Sequence, residues 1–177
     1  MGMRRVILWA PLALFALFGL LFTTGLLKPS SSTIRSHLVG QKLPDFNLPA
    51  AQAGRPSVSS AALEQGGPRL LNIFASWCVP CAAEAPQLAQ LRDAGVRIDA
   101  IAIRDRPDDI AGFLKRYGDP YAAIGADKDS SVQLALGSSG VPETFVIDGK
   151  GVIRHQHIGD IRPEDVPSLI SAVQAAR

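Results

Sequence analysis

Apolar residues along this chain fall into blocks whose spacing predicts secondary structure. Leu70, Leu71, Ile73 and Phe74 form a short apolar run, the pattern of a buried strand. Residues 79–94 place Leu88 and Leu91 on one helical face, and Pro86 should kink that helix. Residues 96–103 predict a second strand, 107–117 a helix with Pro107 in its first turn, and 130–136 a shorter helix. Residues 143–147 and 151–157 read as strands joined by Asp148-Gly149-Lys150-Gly151, a hairpin signal. A helix over 163–176 closes the chain. Ahead of this core, 42–49 reads as extended, with Phe46 and Leu48 alternating against polar neighbours, and 51–56 as a Gly- and Pro-bearing loop. The order is β-α-β-α, a hairpin, then α. It predicts an α/β fold in which a mixed central β-sheet is flanked by helices.

A different pattern holds at the N-terminus. Residues 6–27 contain no charged side chain, and roughly 20 apolar residues suffice to span a bilayer as a helix. Arg4 and Arg5 precede the run, which predicts a cytoplasmic N-terminus and an exported remainder. Pro11 lies in the first turns, where little backbone bonding is lost. A cleaved signal peptide is the competing reading, but the run exceeds a typical signal core and no clear Ala-x-Ala site follows. No cysteine follows that could carry a lipid. The expected partition is a cytoplasmic stub and transmembrane anchor over 1–28, a linker over 29–38 that includes Pro29-Ser30-Ser31-Ser32-Thr33, and a folded domain over 39–177.

Charge changes the picture little. The net charge is +2, and residues 1–28 hold Arg4, Arg5 and Lys28 with no acid, so the rest carries a net −1. A near-neutral body without a basic stripe excludes nucleic acid as an expected partner.

The candidate chemistry rests on the only two cysteines, in Trp77-Cys78-Val79-Pro80-Cys81. They follow a predicted strand and open a predicted helix. Free N–H groups and the positive end of the helix dipole stabilise a thiolate there and lower its pKa. Cys78, at the cap, should be the more exposed sulfur and attack a substrate disulfide; Cys81, a turn further in, should resolve the mixed disulfide. Three readings compete. A structural disulfide would close a very short loop and stabilise poorly. A zinc site would need four ligands, and beyond this pair only His37, His155 and His157 offer soft donors. The third is an inert buried pair. No cofactor or metal is expected.

At these residues the sequence resembles the thioredoxin superfamily. More narrowly, it is similar to the membrane-anchored thiol–disulfide oxidoreductases of cytochrome c biogenesis, the CcmG/DsbE family. The resemblance runs from the anchor to Ile161. It is carried by the stretch from Leu71 to Cys78 (Leu-Asn-Ile-Phe-Ala-Ser-Trp-Cys), by Gly140-Val141-Pro142-Glu143-Thr144-Phe145-Val146-Ile147-Asp148-Gly149, and by Ile158-Gly159-Asp160. It implies a thioredoxin-like fold with an N-terminal extension. It also implies a cis Pro142 opposite the cysteines, which would leave the Val141 backbone able to pair with an extended substrate chain. Trp77 and Pro80 would support the site. Glu84 and Glu143 match acidic positions near it, although each on its own reads as a solvated residue. A carboxylate beside a sulfur disfavours the thiolate and makes the couple more reducing. Asn72 stands where general thioredoxins carry a buried acid, so Glu84 or Glu143 would have to substitute. The Val79-Pro80 dipeptide departs from the family's usual one.

The implied function is a periplasmic reductant of apocytochrome c, or of an intermediate thiol protein of cytochrome c maturation, held in the inner membrane by its N-terminal helix. A membrane thiol–disulfide transporter would supply its electrons. The alternatives are a general periplasmic reductase or oxidase, a peroxidase, and a binding module that keeps the fold. Cys78 lacks the Pro-x-x-x-Thr/Ser-x-x-Cys setting of a peroxidatic cysteine.

Overall fold

The computed structural model describes residues 2–26 and 36–177. Expected linker residues 29–35 lie outside the described residues. The chain divides into units 1–33 and 34–177. In the first, Met3–Leu26 forms helix α1, with Pro11 inside it. Its described side chains, residues 9–22, are exposed and mostly apolar, with Phe18 stacked on Phe22. Among the described residues no helix is long and apolar enough to cross a membrane. At 1.5 Å per residue, the described side chains cover only about 20 Å of helix axis.

The second unit opens earlier than the pattern suggests. Ser36 is already buried, and its hydroxyl donates to the Leu136 carbonyl at 2.7 Å. Short strands β1 (Asn47–Leu48) and β2 (Val58–Ser59) pair antiparallel. Helix α2 (Ser60–Leu63) is capped by the Ser59 hydroxyl, which accepts from the Ala62 N–H. Strand β3 (Arg69–Phe74) follows and is buried along its length. The expected kinked helix is two helices, α3 (Val79–Ala83) and α4 (Ala85–Asp93). Pro86 lacks an N–H and its ring clashes with the carbonyl four residues back, so the ladder stops and restarts at Glu84. Then come β4 (Ile98–Ile103), α5 (Pro107–Tyr117), β5 (Ala123–Asp127), α6 (Ser131–Ala135), β6 (Glu143–Ile147), β7 (Ile153–Ile158), a 3-10 turn over Pro163–Asp165 and α7 (Val166–Ala175).

The main sheet has the order β5-β4-β3-β6-β7. β3, β4 and β5 run parallel, while β6 and β7 are antiparallel to their neighbours, which gives the mixed sheet expected. Leu70, Ile73, Phe74, Ile101, Ile124 and Phe145 are fully buried, each worth roughly 1.5–3 kcal/mol of burial. β5 is a strand the pattern did not predict. Its Gly125 explains itself: a Cβ there would lie 2.9 Å from the Leu48 Cβ and 3.0 Å from the Val58 Cβ. The N-terminal hairpin packs where a side chain would stand.

The segment leading into that hairpin meets one sheet edge, and the start of the connection between its strands meets the other. On β7, the Gly40 N–H donates to the Ile153 carbonyl at 2.7 Å and the Ile153 N–H to the Gln41 carbonyl at 2.9 Å. On β5, the Ala51 N–H donates to the Ile124 carbonyl at 2.8 Å and the Ala126 N–H to the Pro49 carbonyl at 2.9 Å.

Candidate redox site

Past Phe74, the end of central β3, the chain turns and starts α3. Cys78 is the N-cap, with extended backbone, and its sulfur accepts the Cys81 N–H at 3.2 Å. Pro80 sits in the first turn, where a missing N–H is harmless. Cys78 and Cys81 are joined as a disulfide with Cα atoms 5.3 Å apart. Cys78 is 5% exposed and Cys81 2%. The order is the expected one, but both residues are buried, so Cys78 is less open than its cap position suggests.

The residues before the cap are clamped from β4's exit loop. Both Asp105 carboxylate oxygens accept from Ser76, one from its N–H at 2.6 Å and one from its hydroxyl at 2.7 Å. The Trp77 indole N–H donates to the Arg104 carbonyl at 3.4 Å. Trp77 is 58% exposed, so it is a surface aromatic beside the disulfide rather than a core residue. With Ser76, Asp108, Phe113, Arg116 and Tyr117 it lines a cavity of about 580 Å³. A larger cavity of about 840 Å³, lined by Gly67, Lys150, Arg154 and Arg177, lies at the opposite end of the sheet from the cysteines.

The Val141–Pro142 bond is cis, as the resemblance implies. Register places Glu143 beside Ile73, so Pro142 sits at the cysteine end of the sheet. Val141 is half-buried, and among the described residues its amide and carbonyl make no hydrogen bond.

Both glutamates are buried, which sets aside the competing reading of each as a solvated residue. Glu84 accepts from the Asn72 amide at 3.0 Å and from the Ile161 N–H at 2.9 Å. Burial pushes its pKa from 4.5 to about 7; the Ile161 and Asn72 hydrogen bonds oppose that rise, and nearby Asp160 adds to it. Glu84 lies three residues after Cys81, a spacing that puts two side chains on one helical face. Asn72, at the position of the missing acid, thus holds an acid supplied from the helix. Its amide also donates to the Thr144 hydroxyl at 2.9 Å, and its oxygen accepts the Tyr121 hydroxyl at 2.8 Å. Burial first, and the Glu84 charge second, push the Tyr121 pKa well above 10.

Glu143 accepts from the Ser138 hydroxyl at 2.8 Å, the Ser139 N–H at 3.1 Å and the Gln156 amide. Thr144 shares a sheet face with Asn72, and successive strand residues point oppositely, so Glu143 faces away from Glu84. The structure therefore brings Cys78, Cys81, Pro80 and Glu84 together on α3 and its C-cap. It sets Glu143 under the Pro142 loop on the other face. Sequence reasoning missed Asp105 and Tyr121. Both lie between the predicted elements, and their partners, Ser76 and Asn72, stand 29 and 49 residues away. Among the described residues no group of three His, Cys, Asp or Glu side chains is placed to hold a metal ion.

A thioredoxin-like sheet with a Cys-x-x-Cys pair opening a helix defines a thiol–disulfide oxidoreductase, and the family model described as Redoxin matches residues 38–173. The chain is 38% identical to the thiol:disulfide interchange protein DsbE of Tatumella citrea over 92% of this chain and 90% of that one. It is 35% identical to DsbE of Escherichia coli K12 over 91% and 89%. A crystal structure named for a DsbE of Chlorobium tepidum superposes with a TM-score of 0.63 at 27% identity, covering 81% of this chain and 99% of that one. The chain belongs to the DsbE-type thiol:disulfide interchange proteins.

Proposed function

We propose that this chain is a periplasmic reductant of cytochrome c maturation, held in the inner membrane by residues 1–28, with its redox domain exported. Its substrate is the haem-site disulfide of apocytochrome c or of an intermediate thiol protein. The observation that carries this reading is the buried Glu84 carboxyl one helical step behind Cys81.

In the reduced protein the Cys78 thiolate attacks a substrate disulfide. The substrate S–S bond breaks, a mixed disulfide forms on Cys78, and one substrate sulfur leaves as a thiolate. Cys81 gives its proton to Glu84 and attacks the Cys78 sulfur. The mixed disulfide breaks and the second substrate sulfur leaves as a thiolate; the two substrate thiolates take up the proton held by Glu84 and one from water, and end as thiols. Two electrons have passed to the substrate, and the Cys78–Cys81 disulfide remains. The dithiol of a membrane thiol–disulfide transporter then restores it. A group of pKa about 7 suits this proton traffic, because an acceptor works best near ambient pH. Trp77 and the unpaired Val141 backbone flank the sulfurs and receive an extended substrate chain, and Glu143 holds the loop carrying Val141 and Pro142.

The deciding experiment is the reduction potential of the full chain in detergent, equilibrated against a defined thiol buffer. A value at or below about −200 mV supports the reductant. A value near about −120 mV, that of a strong oxidant, replaces it with a disulfide-forming enzyme.

A further inference from the structure

A buried tyrosine completes the polar chain that runs from Glu84 through Asn72. A side-chain amide has a donor end and an acceptor end. The Asn72 NH2 donates to Glu84 at 3.0 Å and Thr144 at 2.9 Å, while its oxygen accepts the Tyr121 hydroxyl at 2.8 Å. Reversing the amide would set its oxygen against the Glu84 carboxylate and leave the Tyr121 proton facing an NH2. Tyr121 itself cannot drift. Its ring stacks on Phe74 with centroids 5.0 Å apart, and its N–H donates to Asp119 at 3.3 Å. Burial keeps its phenol protonated, so the hydroxyl has a proton to donate.

We propose that Tyr121 is a positioning residue of the redox site: its hydroxyl locks the Asn72 amide with the NH2 toward Glu84, and thereby sets when Glu84 accepts the Cys81 proton. The second half rests on the reading of Glu84 as acceptor. The groups that face Glu84 are Asn72 from β3, the Ile161 N–H and Asp160 from the loop before α7, Tyr121 from the turn before β5, and Cys81 on its own helix. Asp160 opposes ionisation, and the two N–H donors favour it. Without the hydroxyl, the amide oxygen loses its buried donor, the amide is free to reverse, and one of those donors is lost.

The test follows the Glu84 carboxyl by carbon-13 NMR across pH in the oxidised full-length protein, with Glu84→Gln to assign the signal. Tyr121→Phe keeps the ring and removes only the hydroxyl. It should raise the midpoint by about one pH unit, a tenfold change in proton affinity. The inflection in the pH–rate profile of disulfide reduction should move with it. Asn72→Ala should shift it as far, and Tyr121→Phe in that background should add nothing. A wild-type midpoint in Tyr121→Phe, with a shifted one in Asn72→Ala, overturns the lock. The wild-type protein offers a second check, since both Asn72 amide protons should shift as Glu84 titrates, and silence there also overturns it. If Glu84→Gln leaves the pH–rate profile unchanged, the acceptor reading fails, and the NMR midpoint still decides the lock separately.

Discussion

Glu84 and Glu143 are both buried acids at the cysteine end of one sheet, yet they stand on opposite faces with different company. Glu143 gathers three donors, from Ser138, Ser139 and Gln156. Gln156 in turn accepts the Ser36 N–H at 2.7 Å, so this carboxylate ties the start of the domain to the Pro142 loop. Glu84 has two donors and a chain of neutral groups leading away from it. A carboxylate saturated with donors serves as a structural knot. One with fewer donors in a dry site, its pKa brought to about 7, is poised to exchange a proton. Burial is common to both, and the donor arrangement separates them.

The largest effect that tests this contrast is the pH dependence of stability. The folded Glu84 binds its proton more tightly than the unfolded chain does, so its contribution is fully present below about pH 4.5 and lost as pH rises through about 7. The loss is about 3 kcal/mol. Urea midpoints across that window should fall with pH in the wild type and flatten in Glu84→Gln; an unflattened slope breaks the contrast. Next, Glu143→Ala leaves three donors without their acceptor and should lower stability by about 2 kcal/mol. Thermal or urea melts should show that loss with the pH slope intact. Asp105→Ala releases Ser76 ahead of Cys78 and should slow disulfide exchange about tenfold, or ~1.4 kcal/mol of barrier. Asp105→Asn, which keeps an oxygen for Ser76, should recover most of the rate in a stopped-flow assay. The smallest effect is on the thiol. Glu84→Gln should lower the Cys78 pKa by about half a unit, read from thiolate absorbance, and Glu143→Gln should lower it by less. An equal shift from both would erase the distinction between the two faces.

Much of the frame was legible in the chain. The apolar run at Leu70–Phe74 is the central strand, the Pro86 break falls where its ring demands, and the hairpin turn joins β6 to β7. What escaped depends on contacts distant in sequence. β5 reads Ala-Ile-Gly-Ala-Asp, too small and polar to announce a strand, because Leu48 and Val58 fill the space above Gly125. Glu84 looked solvated because its donors stand 12 and 77 residues away. The cysteines at their strand–helix junction, Pro142 and both glutamates were named in advance, but the burial and hydrogen-bond partners of the glutamates were not. Asp105 carried no local signal, since its partner lies 29 residues earlier.

The segment from Gly40 to Ala51 bonds to β7 at one rim of the sheet and to β5 at the other. An exposed strand edge is a template on which other chains can polymerise, and proteins guard against it by covering such edges. Here one stretch of extension covers part of each rim. On β5 it occupies the edge groups of Ile124 and Ala126, and on the other rim those of Gly151 and Ile153 at the start of β7, so the same stretch that fills out the core also takes up edge positions on which a foreign strand would pair.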